Sequence, residues 1–293
     1  SVSDEIKGRK SNSKIRKTLL NINEEGAIFK SYIDGRNILL TPEKSIEIQR
    51  DLGADLIVVF DECTPFNVDK DYTYKSMLRS HRWASRSINA FNTNLKYKSK
   101  RGSAGLQEIY GIIQGGIYND LRLESIYFNQ NKINTFGIAI GGSLGSTKEE
   151  MKEVVNFTAS KLNNVKPIHL LGIGDPIDIW TFVEQGIDTF DCVSPTRLAR
   201  HGSALVKGKK GKINLKNKKY KDKLSPIDDE CICYTCKNFT LSYLYHLFAS
   251  QELLALQLLT NHNIFFMNNL MEIIRTAIKE DNYENKKKEW LES

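Results

Sequence analysis

The sequence has no apolar stretch long enough to cross a membrane. Its apolar runs, such as Leu56–Phe60 and Leu253-Leu254-Ala255-Leu256, fall far short of the roughly 20 residues a spanning helix needs. The first residues, Ser1-Val2-Ser3-Asp4-Glu5, contain no apolar signal-peptide core. There is no internal repeat, no P-loop and no G-x-G-x-x-G dinucleotide fingerprint. Cysteine is scarce, five in 293 residues, and three of the five fall in Cys231-Ile232-Cys233-Tyr234-Thr235-Cys236, too close together all to pair as disulfides. These absences point to the cytoplasm or an organelle interior, with reduced thiols.

What is present suits a globular enzyme-sized chain. Hydrophobic residues make up 40% and charged residues 26%, enough apolar material for one large α/β domain, or a domain with a small appendage. Three thiolates and one histidine complete a tetrahedral zinc shell, and both His246 and His262 follow at suitable spacing. Four protein ligands leave no open position, so such a zinc is structural.

The net charge is +7, and its distribution is uneven. The tract Val206-Lys207-Gly208-Lys209-Lys210-Gly211-Lys212, continuing through Lys216, Lys218, Lys219, Lys221 and Lys223, concentrates positive charge beside the cysteines. It reads either as a solvated loop or as a surface for nucleic-acid phosphates.

Along the chain, residues 1–17 are polar, basic and aperiodic, and are expected to be disordered or an extension. Phe29–Leu40 reads as a hairpin around Asp34-Gly35, and Thr41-Pro42-Glu43 opens a helix with Thr41 as its N-cap. Strand-like runs then appear at Leu56–Phe60, Ile109–Ile113, Thr135–Ile140, Ile168–Leu171 and Thr189–Val193. Helical stretches at about 71–93, 118–129, 147–162 and 176–185 separate them. This alternation predicts parallel pairing in a (β/α) barrel, or alternatively an open doubly wound sheet. The division expected is a partial barrel over 18–223 and a zinc-binding helical subdomain over 224–293. In the latter, helices span roughly 237–259 and 263–280, and a charged tail follows.

Each strand-like run ends in polar or glycine residues: Asp61-Glu62-Cys63, Gln114-Gly115-Gly116, Gly141-Gly142, Gly172-Ile173-Gly174 and Asp191-Cys192. In a (β/α) barrel such ends share one pocket. A carboxylate there can accept two N–H bonds while a carboxamide and a backbone N–H donate to a carbonyl oxygen, which is how a guanine edge is read. A second carboxylate is left to act as nucleophile or base. Alternatively the carboxylates only cap helices.

The segment Gly186-Ile187-Asp188-Thr189-Phe190-Asp191-Cys192-Val193-Ser194-Pro195-Thr196-Arg197 closely resembles the nucleophile segment of tRNA-guanine transglycosylases. Phe60-Asp61-Glu62-Cys63-Thr64-Pro65, Ile113-Gln114-Gly115-Gly116, Ala139-Ile140-Gly141-Gly142 and Leu170-Leu171-Gly172-Ile173-Gly174 agree in order. The resemblance covers about residues 25–280. It implies that Asp191 attacks the anomeric carbon of the guanosine at the tRNA wobble position, 34. A covalent intermediate forms, guanine leaves, and a 7-deazaguanine base takes its place, a step in queuosine biosynthesis. It implies that Asp61, Gln114 and the Gly142 backbone read the purine edge, that Cys63 lines the pocket and that Leu171 covers one face of the base. The Gly172 carbonyl would accept from a side-chain amine. Thr196, Arg197 and Arg200 would hold the flanking uridines of a tRNA with a GUN anticodon. Cys231, Cys233, Cys236 and His262 would bind the zinc, leaving His246 aside, and a homodimer would form through the zinc-region helices.

The departures are informative. The family carries upstream a Thr-Asp-Ser-Gly-Gly segment whose aspartate is the general acid/base, followed by an aromatic residue that stacks on the base. Neither is found in these residues. Too few residues precede Glu24-Glu25-Gly26 for the opening strands of a barrel of about 250 residues. About six strands are therefore expected rather than eight, and the chain reads as a fragment or processed product. Gly145 stands where the bacterial pattern is bulkier and would leave room for a larger base such as queuine. Cys63 is of the bacterial type, and the Gly-Gly-Ser-Leu-Gly wording favours 7-aminomethyl-7-deazaguanine. The competing readings are a non-catalytic tRNA-binding or partner subunit of the same family, which would need none of Asp191, Asp61 and Gln114, and a generic retaining glycosidase, which gives the zinc cluster and lysine tract no role.

Overall fold

Local signals set the first elements. The computed structural model describes residues 20–93, 107–163, 165–208 and 211–292. The segment 1–17 and Lys209-Lys210 of the lysine tract lie outside them. Strands β1 (Leu20–Ile22), β2 (Ala27–Lys30) and β3 (Asn37–Leu40) form an antiparallel sheet in that order. Ala27 pairs with Leu40 and Lys30 with Asn37. Gly35 supplies the left-handed residue of the turn, at φ 72°, and the Asp34 carboxylate accepts from the Arg36 N–H at 3.2 Å. Helix α1 (Pro42–Leu52) starts where Thr41 Oγ1 accepts from the Lys44 N–H and ends at left-handed Gly53, as the turn and capping residues predict.

The alternating region forms a five-stranded parallel sheet. Its strands are β4 (Leu56–Val58), β5 (Glu108–Ile113), β6 (Gly137–Ile140), β7 (Ile168–Leu170) and β8 (Thr189–Phe190), in the order β4-β5-β6-β7-β8. Helices α2 (Lys70–Thr93), α3 (Asn119–Asn131), α4 (Lys148–Lys161) and α5 (Pro176–Val183) fall between successive strands. Spatial order equals chain order throughout, with no reversal of direction. A doubly wound sheet reverses at a switch point, so this is the winding of a TIM-like half-barrel. Strands β5 and β6 are apolar almost end to end because both faces are covered. Five parallel strands are present among the described residues, against about six expected. Residues 20–40, counted towards the barrel, turn back on themselves too tightly for a parallel crossover and pair as the separate antiparallel sheet.

The chain divides into two compact units. One runs to Leu171 and takes in Gln185–Thr189; the other comprises Gly172–Glu184 and the chain from Phe190 onward. In the first, Ile57, Val59, Ile109, Ile112 and Ala139 of the sheet bury against Ile46 of α1 and Ala84, Ile88 and Phe91 of α2.

In the second, α6 (Ser194–Arg200) and the hairpin β9 (Ser203–Leu205)–β10 (Lys212–Asn214) pack with helices α7 (Tyr234–Asn238), α8 (Leu241–Ala249) and α9 (Leu253–Lys279). A further helix, α10 (Tyr283–Glu292), lays Trp290 among Trp180, Phe266, Leu270 and Ile274. Helix α9 differs from expectation. It runs unbroken through His262, about 40 Å for its 27 residues, and the break falls earlier, at Gln251 with φ 58°. The charged tail expected after 280 is helical, anchored by Trp290, by the Tyr283 hydroxyl on the Trp180 carbonyl at 2.5 Å, and by the Lys287–Glu184 ion pair. Among the described residues no helix is long and apolar enough to cross a membrane.

Candidate active site and metal centre

In the first unit, three polar groups at consecutive strand ends come together. Gln114, following β5, donates from Nε2 to the Asp61 carboxylate, following β4, at 2.5 Å. Gly142, following β6, lies against Gln114: a β-carbon there would stand 2.6 Å from Gln114 Oε1, and its φ of 76° favours glycine as well. Leu171 packs its side chain against Gly141 beside them. Burial raises the Asp61 carboxyl to about 6, partly opposed by the hydrogen bond from Gln114. Cys63 is exposed, and none of the five cysteines is in a disulfide.

Helix α2 aims Asp61. Its Ser87 and Ser80 hydroxyls, one face apart at i and i+7, accept the N–H groups of Phe60 and Glu62 at 3.1 and 3.0 Å. The Glu62 side chain is buried on the Tyr72 hydroxyl at 2.7 Å and on Arg79. With 60 and 62 held on one side, extended backbone turns the residue between them to the other.

Helix α3 supports Gln114 and Gly142 in the same way. Ser125 Oγ accepts from the Gln114 N–H at 3.0 Å and contacts His81 Nε2 at 3.1 Å. Burial pushes His81 down to about 4, so its ring is neutral at pH 7. Arg122 is fully buried. Its Nε donates to the Gly116 carbonyl at 2.7 Å, and its Nη2 to the carbonyls of Gly141 and Ser143, each at 3.2 Å. Burial lowers its pKa only to about 9, leaving it charged at neutral pH. Sequence reasoning passes over these residues, although Arg122, Ser125 and Asn129 recur at spacings of three and four on the buried face of α3.

The space expected beside Gly145 is taken. A β-carbon at Gly145 would lie 2.6 Å from the Glu150 carboxylate, which also accepts from the Ser146 N–H at 2.6 Å. An open binding space at Gly145 is therefore not what the loop provides.

In the second unit, the exposed Asp191 carboxylate accepts from the Gly172 N–H at 2.8 Å through Oδ1. Gly172 has φ 74°, and Gly174 packs so closely that a β-carbon would meet Cys192 Cβ at 2.3 Å. The glycines thus let the 172–174 loop lie flat against the Asp191-Cys192 segment. Thr196, Arg197 and Arg200 follow on α6. Thr196 and Arg200 line an open groove of about 810 Å³ with Gln257, Asn261, Phe265 and Asn268 of α9.

The metal ligands also meet in this unit. The donor atoms of Cys231, Cys233, Cys236 and His262 all lie within 4.8 Å of one another. His262 Nδ1 is 3.7, 3.6 and 3.4 Å from the three sulfurs in turn. A tetrahedron with Zn–S about 2.3 Å and Zn–N about 2.1 Å has S···N edges of about 3.6 Å, so the donors fit a zinc ion as they stand. His262 Nε2 is held by the Leu205 carbonyl at 2.9 Å, which fixes the ring with Nδ1 facing the thiols. Hydrogen bonding from Cys236 and His262 lowers the Cys233 thiol to about 3, while Cys231 is raised by burial and Cys236 by its bond to Cys233. His246 stands apart, exposed on α8. The next residue on α9, Asn263, bonds the Leu205 N–H at 2.9 Å and the carbonyls of Pro195 and Ser203 at 2.9 and 3.0 Å. The turn of α9 that carries His262 and Asn263 therefore also fixes the start of α6.

A family model described as queuine tRNA-ribosyltransferase matches residues 10–293. The queuine tRNA-ribosyltransferase of Roseiflexus sp. (strain RS-1) is 41% identical over 300 residues, covering 99% of this chain and 73% of the relative. That of Halothermothrix orenii is 44% identical over 264 residues, covering 90% and 67%, and that of Mannheimia succiniciproducens 45% over 268, covering 91% and 68%.

Proposed function

The chain belongs to the queuine tRNA-ribosyltransferase family, and from that premise we propose that it is a tRNA-guanine transglycosylase, a pentosyltransferase acting on the wobble position of tRNAs with a GUN anticodon. The observation that carries this reading is the Asp61–Gln114–Gly142 cluster, whose acceptor and donors match a guanine edge. The Asp61 carboxylate accepts from N1–H and the 2-amino group, and the Gln114 amide and Gly142 N–H donate to O6. Leu171 covers one face of the base, and Cys63 lines the pocket.

Asp191 is the nucleophile. Its carboxylate attacks C1′ of guanosine 34 as the C1′–N9 bond breaks, and guanine leaves with the bonding pair and takes a proton from water. The Gly172 N–H holds one oxygen of that carboxylate at 2.8 Å and so orients the group. N9 of a 7-deazaguanine base, 7-aminomethyl-7-deazaguanine in preference to queuine, then attacks C1′ from the vacated side, gives its proton to water and releases the Asp191 carboxylate. Two displacements return the original configuration, the logic of retaining glycosidases.

Because the target base lies in a loop, it has to leave its stack to reach these groups. Thr196, Arg197 and Arg200 hold the neighbouring nucleotides, and the lysines after β9 meet backbone phosphates. The zinc supplies no open position and no chemistry; it staples α9 to β9 and so to α6. The expected homodimer and a cytoplasmic or organellar setting accord with this reading. The general acid/base has no Thr-Asp-Ser-Gly-Gly counterpart in these residues, so exchange by this chain alone is the direct test. Labelled guanine is incubated with unmodified tRNA and the chain, with and without a family member whose only defect is its nucleophile. Incorporation in either case supports the enzyme reading. Incorporation in neither supports a tRNA-binding or partner subunit instead.

A further inference from the structure

Gly142 and Arg122 stand in a geometric relation that the base-reading groups alone do not explain. The C=O of Gly141 and the N–H of Gly142 belong to one planar trans peptide, and so point in opposite directions. Arg122 Nη2 holds that carbonyl at 3.2 Å and the Ser143 carbonyl, on the other side of Gly142, also at 3.2 Å. Its Nε fixes the Gly116 carbonyl at 2.7 Å, in the loop that follows Gln114. One buried guanidinium thus ties together the two loops bearing the proposed O6 donors. The grip can be made only by a side chain that presents several donors in a rigid fork. Its positive charge also polarises the Gly141 peptide, which makes the Gly142 N–H a stronger donor.

We propose that Arg122 is the positioning residue that sets recognition of the 6-oxo group: by gripping Gly141 O it turns the Gly142 N–H away from α3 and towards the base. Arg122 does not touch the base itself. The proposal rests on the purine-edge reading of Asp61, Gln114 and Gly142. It makes a claim about selectivity that a purely structural arginine would not satisfy. Loss of the grip should impair bases that carry O6 and spare those that lack it.

The test compares equilibrium binding of guanine and of 2-aminopurine, which keeps the 2-amino group but has no 6-oxygen. Wild-type protein is set beside Arg122→Lys, which keeps the charge but not the fork, and Arg122→Gln, which keeps a single neutral donor. The expected result is a wild-type preference for guanine that shrinks about tenfold in either variant, the effect of one buried hydrogen bond lost, with 2-aminopurine affinity little changed. A preference that stays the same while both bases weaken together would assign Arg122 a packing role and overturn the proposal. A wild type with no preference for guanine would overturn the purine-edge reading, and this inference with it. Should neither variant fold, a crystal structure of the wild type with guanine decides the matter. Gly142 N within about 3.2 Å of O6, with Gly141 O still on Arg122, supports the proposal. Gly141 O released from Arg122, or Gly142 N–H turned from O6, overturns it.

Discussion

In the proposed pocket Asp61 should set a pH limit on base binding, because of its surroundings. Burial raises its carboxyl to about 6, the Gln114 hydrogen bond opposing that shift. The proposed edge needs the carboxylate, because a protonated Asp61 would direct an O–H at another donor. A raised pKa keeps the acid form present to higher pH, so competence is lost as pH falls through about 6. From about pH 7 to about pH 5 the ionised fraction falls from about nine-tenths to about one-tenth, and guanine affinity should weaken about tenfold. Replacing Asp61 by Asn removes the charge and sets an amide N–H against a base N–H. The loss of a charge-assisted bond together with that opposed pair weakens binding by about 10²–10³-fold. What binding remains should be independent of pH over the same range. Calorimetric titration with guanine at constant ionic strength, at each pH unit from 5 to 8, measures both. Wild-type affinity that is flat across this range would refute the reasoning, and so would an Asp61→Asn variant that keeps the wild-type slope.

Other outcomes follow from the second unit. Metal analysis should find one zinc per chain, and Cys236→Ser should lose it together with much of the thermal stability of α7–α9, since structural zinc sites contribute about 10–16 kcal/mol in small peptides. Because the thiols must shed protons to bind, retention of the metal in a chelator competition should fall as pH is lowered. Arg200→Ala should weaken tRNA binding and lower the slope of log affinity against log salt by about 0.7, the value for one single-strand phosphate contact; an unchanged slope would remove Arg200 from the RNA surface.

Much of the fold is legible in the sequence because its signals are local. Apolar runs ending in glycine or polar residues mark the five parallel strands, and Asp34-Gly35 with Thr41-Pro42 marks a turn and a helix start. The polar strand ends are legible for the same reason: a residue that ends an apolar run stands at the sheet's rim. The supports beneath them are not. Arg122, Ser125 and Asn129 are polar residues inside a helix whose neighbours Asp120 and Glu124 face solvent, and only their spacing of three and four sets the buried residues apart from the exposed ones. Their partners are non-local: Arg122 reaches the carbonyls of Gly141 and Ser143, and Ser125 meets His81. His262 was separable from His246 only by family resemblance, since both lie on helices after the cysteines. The reason becomes plain in the fold: α9 passes unbroken under the thiols, while His246 faces outward on α8. Gly145 misleads for the opposite reason, because a missing side chain suggests space that Glu150 fills.

The central claim is that Asp191 forms a covalent bond to the ribose of the target nucleotide. Incubation with unmodified tRNA, followed by denaturing electrophoresis and peptide mass spectrometry, tests it directly. The expected result is a protein–tRNA adduct that guanine reverses, with the ribose mapped to Asp191 and no adduct from Asp191→Asn. An adduct that persists in Asp191→Asn, or one mapped to another residue, would contradict it.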